Sequence, residues 1–336
     1  MKQTKSREIR NKEAKKKLIC SLFLYLSVSL LFCTLPIDAK NSPVIRPKIG
    51  LALGGGGARG AAHIGVLRVL EKENIPIDYL VGTSAGALIA ALYSGGLEPD
   101  ELEKYVLTGA IKKVYKTDLS IARAVFLYLN KAFRTFFGKP FYAGLYNDHR
   151  LHHYVDQLIS KEDGSIDIEI PLHIIAVDLI SGQPVVIKSG DVGLAVQAST
   201  AIPTLRQPIP INDQLLVDGG ILKNIPIDEA KKMGADFVIA VDVDSKLGEV
   251  KSEDFKTYEG IITRVINLGL KAQSENILDK ADIVISPNLK EIGILDLDKV
   301  SLVKAIKAGE EEAIRMLPKI KKKLEQKNQK IRIVEN

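Results

Sequence analysis

Two glycine-rich turns constrain the fold of this 336-residue chain more than any other feature of its sequence. Residues 54–60 follow the apolar run 49–53, and residues 82–86 follow the apolar run 75–81. Each turn leads into a stretch with helical periodicity. Successive strand–turn–helix units are typical of a mostly parallel sheet. The chain is therefore predicted to fold as an α/β protein with helices on both faces of its central sheet.

Five further apolar runs have the length of buried strands and alternate with helical stretches. They cover residues 171–177, 184–188, 215–217, 236–243 and 283–286. Such a sheet places its site at the carboxyl ends of the first strands, where the two glycine-rich turns lie.

The second turn predicts a nucleophilic serine. Residues 82–86 read Gly-Thr-Ser-Ala-Gly, which matches the Gly-x-Ser-x-Gly elbow between a strand and a helix. A serine at the tip of this turn has a strained backbone and an exposed hydroxyl. Gly82 and Gly86 lack the Cβ atoms that would collide with the neighbouring strand and helix. The candidate nucleophile is Ser84.

The first turn predicts an anion site, because a glycine turn that opens a helix presents free N–H groups at the positive end of the helix dipole. The anion is either the oxyanion of a reaction at Ser84 or a dinucleotide phosphate, since residues 55–60 also fit Gly-x-Gly-x-x-Gly. Asp78 lies near the distance of a ribose-binding acid, but inside the strand that leads to the elbow. A P-loop is excluded because no Lys-Ser or Lys-Thr pair follows the glycines.

The base that would activate the serine is harder to find. None of the five histidines lies beyond residue 173, which leaves little room for the order Ser, acid, His, and no metal-ligand spacing such as His-Glu-x-x-His occurs. Asp218 ends an apolar run and precedes Gly219 and Gly220. Taken alone, this pattern is also that of a plain turn. As a base, the carboxylate would need a dry setting that raises its pKa.

Four segments of the chain, taken in order, resemble the sequence blocks of the patatin-like phospholipases. They are residues 54–60, 82–86, 198–203 and 218–220. The resemblance covers about residues 47–290 and implies a three-layer α/β/α fold. It further implies a Ser-Asp dyad, with Ser84 as nucleophile and Asp218 as general base, and chemistry without a metal or other cofactor.

The resemblance also implies roles around the dyad. The amides of Gly56 and Gly57 are expected to hold the oxyanion, and the block 198–203 is expected to pack behind the glycine loop. Arg59 matches a basic residue that the family keeps in this loop, for loop geometry or for a lipid phosphate. The supporting positions are Gly55, Arg59, Gly60, Gly82, Gly86, Gly219 and Gly220.

The predicted function is hydrolysis of lipid carboxyl esters, of the phospholipase A or lysophospholipase kind. The expected partner is a phospholipid or another acyl lipid at a membrane surface. Two other classes remain open at this point. A nucleotide-binding protein would use the glycine loop and would not depend on Ser84, and a non-catalytic membrane-binding protein would bind lipid without acyl transfer.

The first 39 residues form a separate segment. Eight basic residues within positions 1–17 precede the uncharged apolar run 18–35, which is typical of a signal peptide but is also just long enough for an uncleaved anchor. The chain is thus expected to be exported (periplasmic, outer-membrane-associated or secreted) or N-terminally anchored. The segment carries eight bases and three acids, so most of the net charge of +6 belongs to it and does not indicate nucleic-acid binding.

Two other regions have unusual composition. Residues 118–148 have no acid between the two terminal aspartates and contain eight of the nineteen aromatic residues. This composition predicts a lipid-facing element or lid, or else a helical cap packed on the core. Residues 291–336 are predicted as a helical extension whose basic tail, 319–323, is a solvated helix end or a contact with anionic lipid.

Overall fold

A computed structural model gives the fold of the unit Arg46–Asn336. It describes residues 46–108, 133, 137, 150–161, 163–203, 205–244 and 250–335. The predicted signal or anchor segment lies outside the described residues, and so does the region 118–148 except for Phe133 and Phe137. These two side chains are exposed, and their ring centroids lie 4.5 Å apart. None of the helices described has the length and apolarity needed to cross a bilayer.

The described strands form one sheet. They are β1 (Ile49–Leu53), β2 (Tyr79–Thr83), β3 (Leu172–Asp178), β4 (Gln183–Ile187), β5 (Ile209–Ile211), β6 (Gln214–Asp218), β7 (Phe237–Val241) and β8 (Ile283–Ile285). Their order is β5-β6-β3-β2-β1-β7-β8, and β4 also pairs with β3. The pairs from β3 to β8 along this order are parallel, whereas β4, β5 and β6 pair in antiparallel fashion. The predicted fold class, a mostly parallel sheet flanked by helices, is confirmed.

The described α-helices connect and cover these strands. They are α1 (Ala62–Lys72), α2 (Ala85–Ser94), α3 (Pro99–Leu107), α4 (Arg150–Ile159), α5 (Val192–Ser199), α6 (Ile227–Lys232), α7 (Tyr258–Ile277) and α8 (Lys299–Glu335). Short 3₁₀ turns include Gly57–Ala61 before α1 and Gly219–Ile221 after β6.

The central strands are buried on both faces, and their side chains alternate between two cores. In β1 and β7, the large side chains of Leu51 and Phe237 face the main core, which also contains apolar residues of α1, α2 and α8. The small side chains of Ala52 and Ala240 face the second core, to which α6 contributes. This alternation is the period of two expected of strands. The small residues allow α6 to approach the sheet closely.

Helix α8, which forms most of the predicted C-terminal extension, packs along α1. A Cβ atom on Gly65 of α1 would overlap the Ile306 carbonyl, and one on Gly309 of α8 would overlap the Ala62 carbonyl. The two helices therefore pack backbone to backbone at these glycines. In the basic tail, Lys321 pairs with Glu73 just after the carboxyl end of α1. This places the tail near the amino ends of the parallel strands, away from the glycine-rich turns.

Candidate active site

The turn between β2 and α2 has the geometry of a nucleophile elbow. Ser84 has φ 53° and ψ −122°, in the left-handed half of backbone space where non-glycine residues are strained. A Cβ on Gly82 would lie 2.5 Å from the Ala87 Cα, and one on Gly86 would overlap the Leu53 carbonyl. Both glycines are therefore needed for the turn to fit between β1 and α2.

Asp218 approaches Ser84 because β2 and β6 share one edge of β3. Thr83 of β2 is paired with Ile175, and Asp218 of β6 is paired with the next residue, Ala176. Strand β4 pairs with this same part of β3 and covers its other edge. The carboxyl ends of β2 and β6 therefore meet end to end. The Ser84 hydroxyl donates a hydrogen bond to Asp218 Oδ2 at 2.6 Å.

The Asp218 carboxyl lies in a dry setting. Asp218 is 6% exposed, and burial raises the pKa of its carboxyl group from 3.8 to about 6. The hydrogen bond from Ser84, the one from the Gly220 amide at 2.8 Å and the charge of Arg206 act in the opposite direction and lower the pKa. The result is a carboxyl that is mostly ionised at neutral pH and can accept a proton in slightly acidic solution.

Ser199, at the end of α5, fixes the elbow from behind. Its Oγ accepts a hydrogen bond from the Ser84 amide at 2.8 Å and donates one to the Ile175 carbonyl at 2.6 Å. The block 198–203 was expected to pack behind the glycine loop. Instead, Ser199 supports Ser84 itself, and Ile202 and Pro203 line the cavity above it.

The glycine loop has two amides that make no hydrogen bond to the part of the protein that the structure describes, and they are those of Gly56 and Gly57. The neighbouring amides all have acceptors. Gly54 and Ala58 donate to the carbonyls of Val241 and Ile294, at 3.1 and 2.8 Å. The Gly55 amide donates to the Asn224 side chain, and the Arg59 amide donates to the Gly56 carbonyl.

Asn224 is a site residue that the sequence did not reveal. Its side-chain Oδ1 accepts a hydrogen bond from the Gly55 amide at 3.0 Å. Its backbone N–H donates to the side-chain oxygen of Gln273 in α7, also at 3.0 Å. Gln273 in turn donates to the carbonyls of Gly220 and Ile221. This network ties the glycine loop to the turn after Asp218. No local motif marks Asn224, because its role depends on a contact across 169 residues of chain.

Arg59 is buried beside the glycine loop, and its contacts favour loop geometry, one of the two roles left open for it. The residue is 4% exposed, and its Nε donates to the Ile292 carbonyl at 2.7 Å. One terminal nitrogen donates to Asn267 of α7 at 3.0 Å and lies 3.9 Å from Asp244. Burial, with Asp242 nearby, raises the pKa of Asp244 to about 7. These partners hold the Arg59 guanidinium between the glycine loop and α7.

His63 also supports the glycine loop. It is fully buried on α1, and its Nε2 lies 2.8 Å from the Gly54 carbonyl, to which it donates. Burial lowers its pKa to about 4, so the imidazole is neutral near pH 7. His63 therefore supports the loop as a neutral hydrogen-bond donor.

Asp78 cannot serve the dinucleotide alternative. It precedes β2, at the amino end of that strand, whereas the glycine loop lies at the carboxyl ends. Both of its oxygens bind Arg46, and one also accepts from the Ile49 amide at 2.7 Å. The acid that the dinucleotide pattern requires is therefore at the opposite edge of the sheet.

A cavity of about 430 Å³ opens above Ser84 and Asp218. Gly55, Gly56 and Gly57 form one wall, and α7 forms much of another with apolar side chains. Gly220 also lines the cavity, whereas Gly60 and Gly219 lie behind this surface. A Cβ on Gly60 would overlap that of Ala85, and one on Gly219 would overlap the Ile175 carbonyl. The dyad candidates thus lie at the floor of a largely apolar cavity.

The described residues contain one group with metal-ligand spacing, away from this cavity. His152 and Asp156 of α4 and Asp191, the N-cap of α5, have potential ligand atoms within 4.8 Å of one another. The His152 Nε2 lies 2.9 Å and 2.8 Å from the two carboxylates. The group joins α4 to the start of α5, and the His152 side chain is half-buried.

A family model described as patatin-like phospholipase matches residues 51–231. This chain belongs to the patatin-like phospholipase family. The matched range contains both glycine turns, Ser84, the block 198–203 and Asp218. The resemblance inferred from the four sequence blocks is confirmed.

The relatives are much longer proteins. The chain is 33% identical over 212 residues to patatin-like phospholipase domain-containing protein 6 of Mus musculus, a match covering 62% of this chain and 14% of that protein. It is 32% identical over 200 residues to lysophospholipase NTE1 of Yarrowia lipolytica, covering 59% of this chain and 13% of that protein. The chain therefore matches about one seventh of the length of these relatives.

Among solved structures, VipD from Legionella pneumophila has a TM-score of 0.45 with 14% identity, covering 82% of this chain and 67% of VipD. Human GIVD cytosolic phospholipase A2 in complex with methyl gamma-linolenyl fluorophosphonate has a TM-score of 0.45 with 11% identity, covering 84% of this chain and 60% of that one.

Proposed function

We propose that this chain is a serine acyl hydrolase that cleaves the carboxyl esters of lipids, as its membership of a phospholipase family suggests. The observation that carries the proposal is the 2.6 Å hydrogen bond from Ser84 to Asp218 at the floor of an apolar cavity. A strained serine, a buried carboxyl and an apolar cavity together suit acyl transfer from a lipid.

In the proposed reaction the Ser84 Oγ attacks the ester carbonyl carbon while its proton passes to Asp218 Oδ2. The tetrahedral intermediate collapses when the C–O bond to the alcohol breaks, and the same proton goes to the departing oxygen. Asp218 then takes a proton from water, whose oxygen attacks the acyl-serine, and returns it to Ser84. A base pKa near the working pH favours both directions of this transfer.

The oxyanion would be held by the amides of Gly56 and Gly57. Both residues line the cavity beside Ser84, and no acceptor within the described structure takes a hydrogen bond from their N–H groups. Donors fixed before the reaction need no rearrangement when the negative charge develops. A well-placed donor lowers the activation barrier by several kcal/mol. The contacts of Asn224, Arg59 and His63 hold the surrounding loop and thereby keep these amides in place.

The substrate class follows from the cavity and its surroundings. Apolar side chains of α7, Ile202 and Ile294 line the space above Ser84, as an acyl chain requires. Exposed apolar side chains also follow β3 and β6 near the same edge of the sheet. They are Leu179, Ile180, Ile221 and Leu222. We propose that this edge contacts the lipid surface from which a phospholipid or lysophospholipid enters the cavity.

The proposal is tested with a fluorophosphonate probe, which reacts with activated serines, on the full chain in detergent. We expect labelling at Ser84, no labelling of Ser84→Ala, and labelling of Asp218→Asn slowed at least 100-fold, the usual size of a general-base contribution. Ser252→Ala, which changes an exposed serine, should label like the unaltered protein. Absence of labelling in the folded, unaltered protein would contradict the proposal.

A further inference from the structure

Helix α7 contains an unexplained glycine at the point where it lines the cavity. Gly269 lies in the interior of this 20-residue helix, with Leu270 beside it and Ile266 one turn before it. Glycine is less favourable than alanine in a helix interior because it has more backbone freedom to lose on folding. A glycine there therefore calls for a local reason.

Packing within the described protein does not supply that reason. A Cβ built on Gly269 meets no heavy atom within 4 Å. The helical glycines Gly65, Gly193 and Gly309 differ, since a Cβ on each would overlap a neighbouring element. At Gly269 the missing side chain leaves open space on the wall of the cavity.

The cavity extends along α7 away from the reaction centre. Near Ser84 and Asp218, Gln273 donates a hydrogen bond to the turn after Asp218. A Cβ built on Gly220 would lie 3.4 Å from the Leu270 side chain. The lining continues through Ile266 to Ile261. Residues 261 and 273 are separated by twelve helical rises of about 1.5 Å, which span about 18 Å. An extended chain advances roughly 1.2 Å per bond, so this length accommodates about 15 bonds.

We propose that the acyl chain of the substrate lies along α7 across Gly269, and that the absence of a side chain at this position admits a long chain. This inference rests on the proposed hydrolase function and names the part of the substrate that α7 recognises. Ile262, Ile266 and Leu270 would contact the methylenes, and the groove would become narrower as the residue at position 269 becomes larger.

The test is the series Gly269→Ala, Gly269→Val and Gly269→Leu, assayed in full-length protein with p-nitrophenyl butyrate and p-nitrophenyl palmitate in mixed micelles. Each methylene that loses its apolar contact lowers kcat/KM by about fourfold. We expect the palmitate-to-butyrate ratio of kcat/KM to fall stepwise along the series, by more than tenfold at leucine. Activity on butyrate should stay within about threefold.

Two controls separate this effect from damage to the fold. Ala272→Leu adds the same side chain at an exposed position of α7 that does not line the cavity, and should leave the ratio unchanged. Gly269→Ala should raise the melting temperature because alanine favours the helix. It therefore remains informative if the leucine variant fails to fold.

Different failures have different meanings. Variants that label with the fluorophosphonate probe and cleave both esters at an unchanged ratio would overturn the inference about Gly269 and leave the hydrolase proposal standing. An unaltered protein that neither labels nor cleaves either ester would overturn both.

Discussion

Ser84 and Asp218 each carry a feature that destabilises a folded protein. Ser84 has a positive φ, which costs about 1–3 kcal/mol in a non-glycine residue, and Asp218 is a carboxyl removed from water. Both features belong to the same hydrogen-bonded pair. Functional sites are where such costs are retained, because surrounding contacts enforce them.

The pH dependence of activity follows from Asp218. Because the base must be ionised, kcat/KM for a neutral ester should rise with pH through about 6, the pKa to which burial raises this carboxyl. The acid limb should have a slope of one on a logarithmic plot. A rate that stayed constant down to pH 4.5 would contradict Asp218 as the base.

Asp218→Asn should increase stability at high pH while abolishing activity. A carboxyl with a pKa raised from 3.8 to about 6 binds more protons in the native state than in the unfolded state, so its ionised form destabilises the native state as pH rises. At pH 8 the asparagine variant should gain up to about 3 kcal/mol in free energy of unfolding. Urea denaturation should show the gain at pH 8 and little gain at pH 4.

His63 should lower the stability of the folded protein in acid. Its native pKa of about 4 lies below the unfolded value of 6.5, so the unfolded state binds more protons and stability falls as pH decreases between these values. The loss approaches about 3 kcal/mol near pH 4. His63→Gln retains a donor for the Gly54 carbonyl and should flatten this part of the stability profile. An unchanged profile would indicate that other groups cause the acid sensitivity.

Among the elements, α5 has the most direct effect on the elbow, through Ser199. Ser199→Ala removes the acceptor of the Ser84 amide and the donor to Ile175, a loss of about 1–2 kcal/mol. We expect kcat to fall roughly tenfold with KM changed less than threefold. Thr200→Ala is the matched control, because among the described residues that hydroxyl bonds only to carbonyls of α5 itself. Equal losses of activity in both variants would indicate general destabilisation.

The elements around the elbow could be predicted from the sequence because their signals are local. Residues 49–94 contain the two glycine turns, two apolar runs and two stretches with helical periodicity. These local patterns identify β1, α1, β2 and α2. The run 75–81 was less accurate, since β2 begins only at Tyr79. Strand β5 was not predicted, because its sequence Ile-Pro-Ile has a proline at its centre, and a proline within a short apolar run argues against a strand.

The remaining support of the site could not be predicted in this way. Asn224 binds Gly55 across 169 residues, and Arg59 binds Ile292 across 233. Neither contact leaves a local trace in the sequence. Asp218 was identified only together with three other blocks, since its own tripeptide also fits a plain turn.

At the scale of the molecule, the exposed apolar side chains at the carboxyl edge of the sheet predict contact with lipid. Ile180, 72% exposed after β3, should contribute to binding of phosphatidylcholine vesicles. Ile180→Ser should weaken binding about tenfold or more, given 1.5–3 kcal/mol for burial of such a side chain, without affecting hydrolysis of a soluble short ester. Ile314→Ser, at a 52% exposed isoleucine on α8, should bind normally. Similar vesicle affinities for the two variants would contradict this assignment of the edge.

The shared edge of β3 also determines which changes of length the protein can tolerate. Ser84 and Asp218 are 134 residues apart, yet their separation is set by two adjacent positions on one strand. A residue inserted within β6 before Asp218 would turn its carboxyl to the other face of the sheet. Residues added to the loops between β2 and β6 leave this pairing intact. The connections can therefore grow in length while the hydrogen bond between Ser84 and Asp218 is retained.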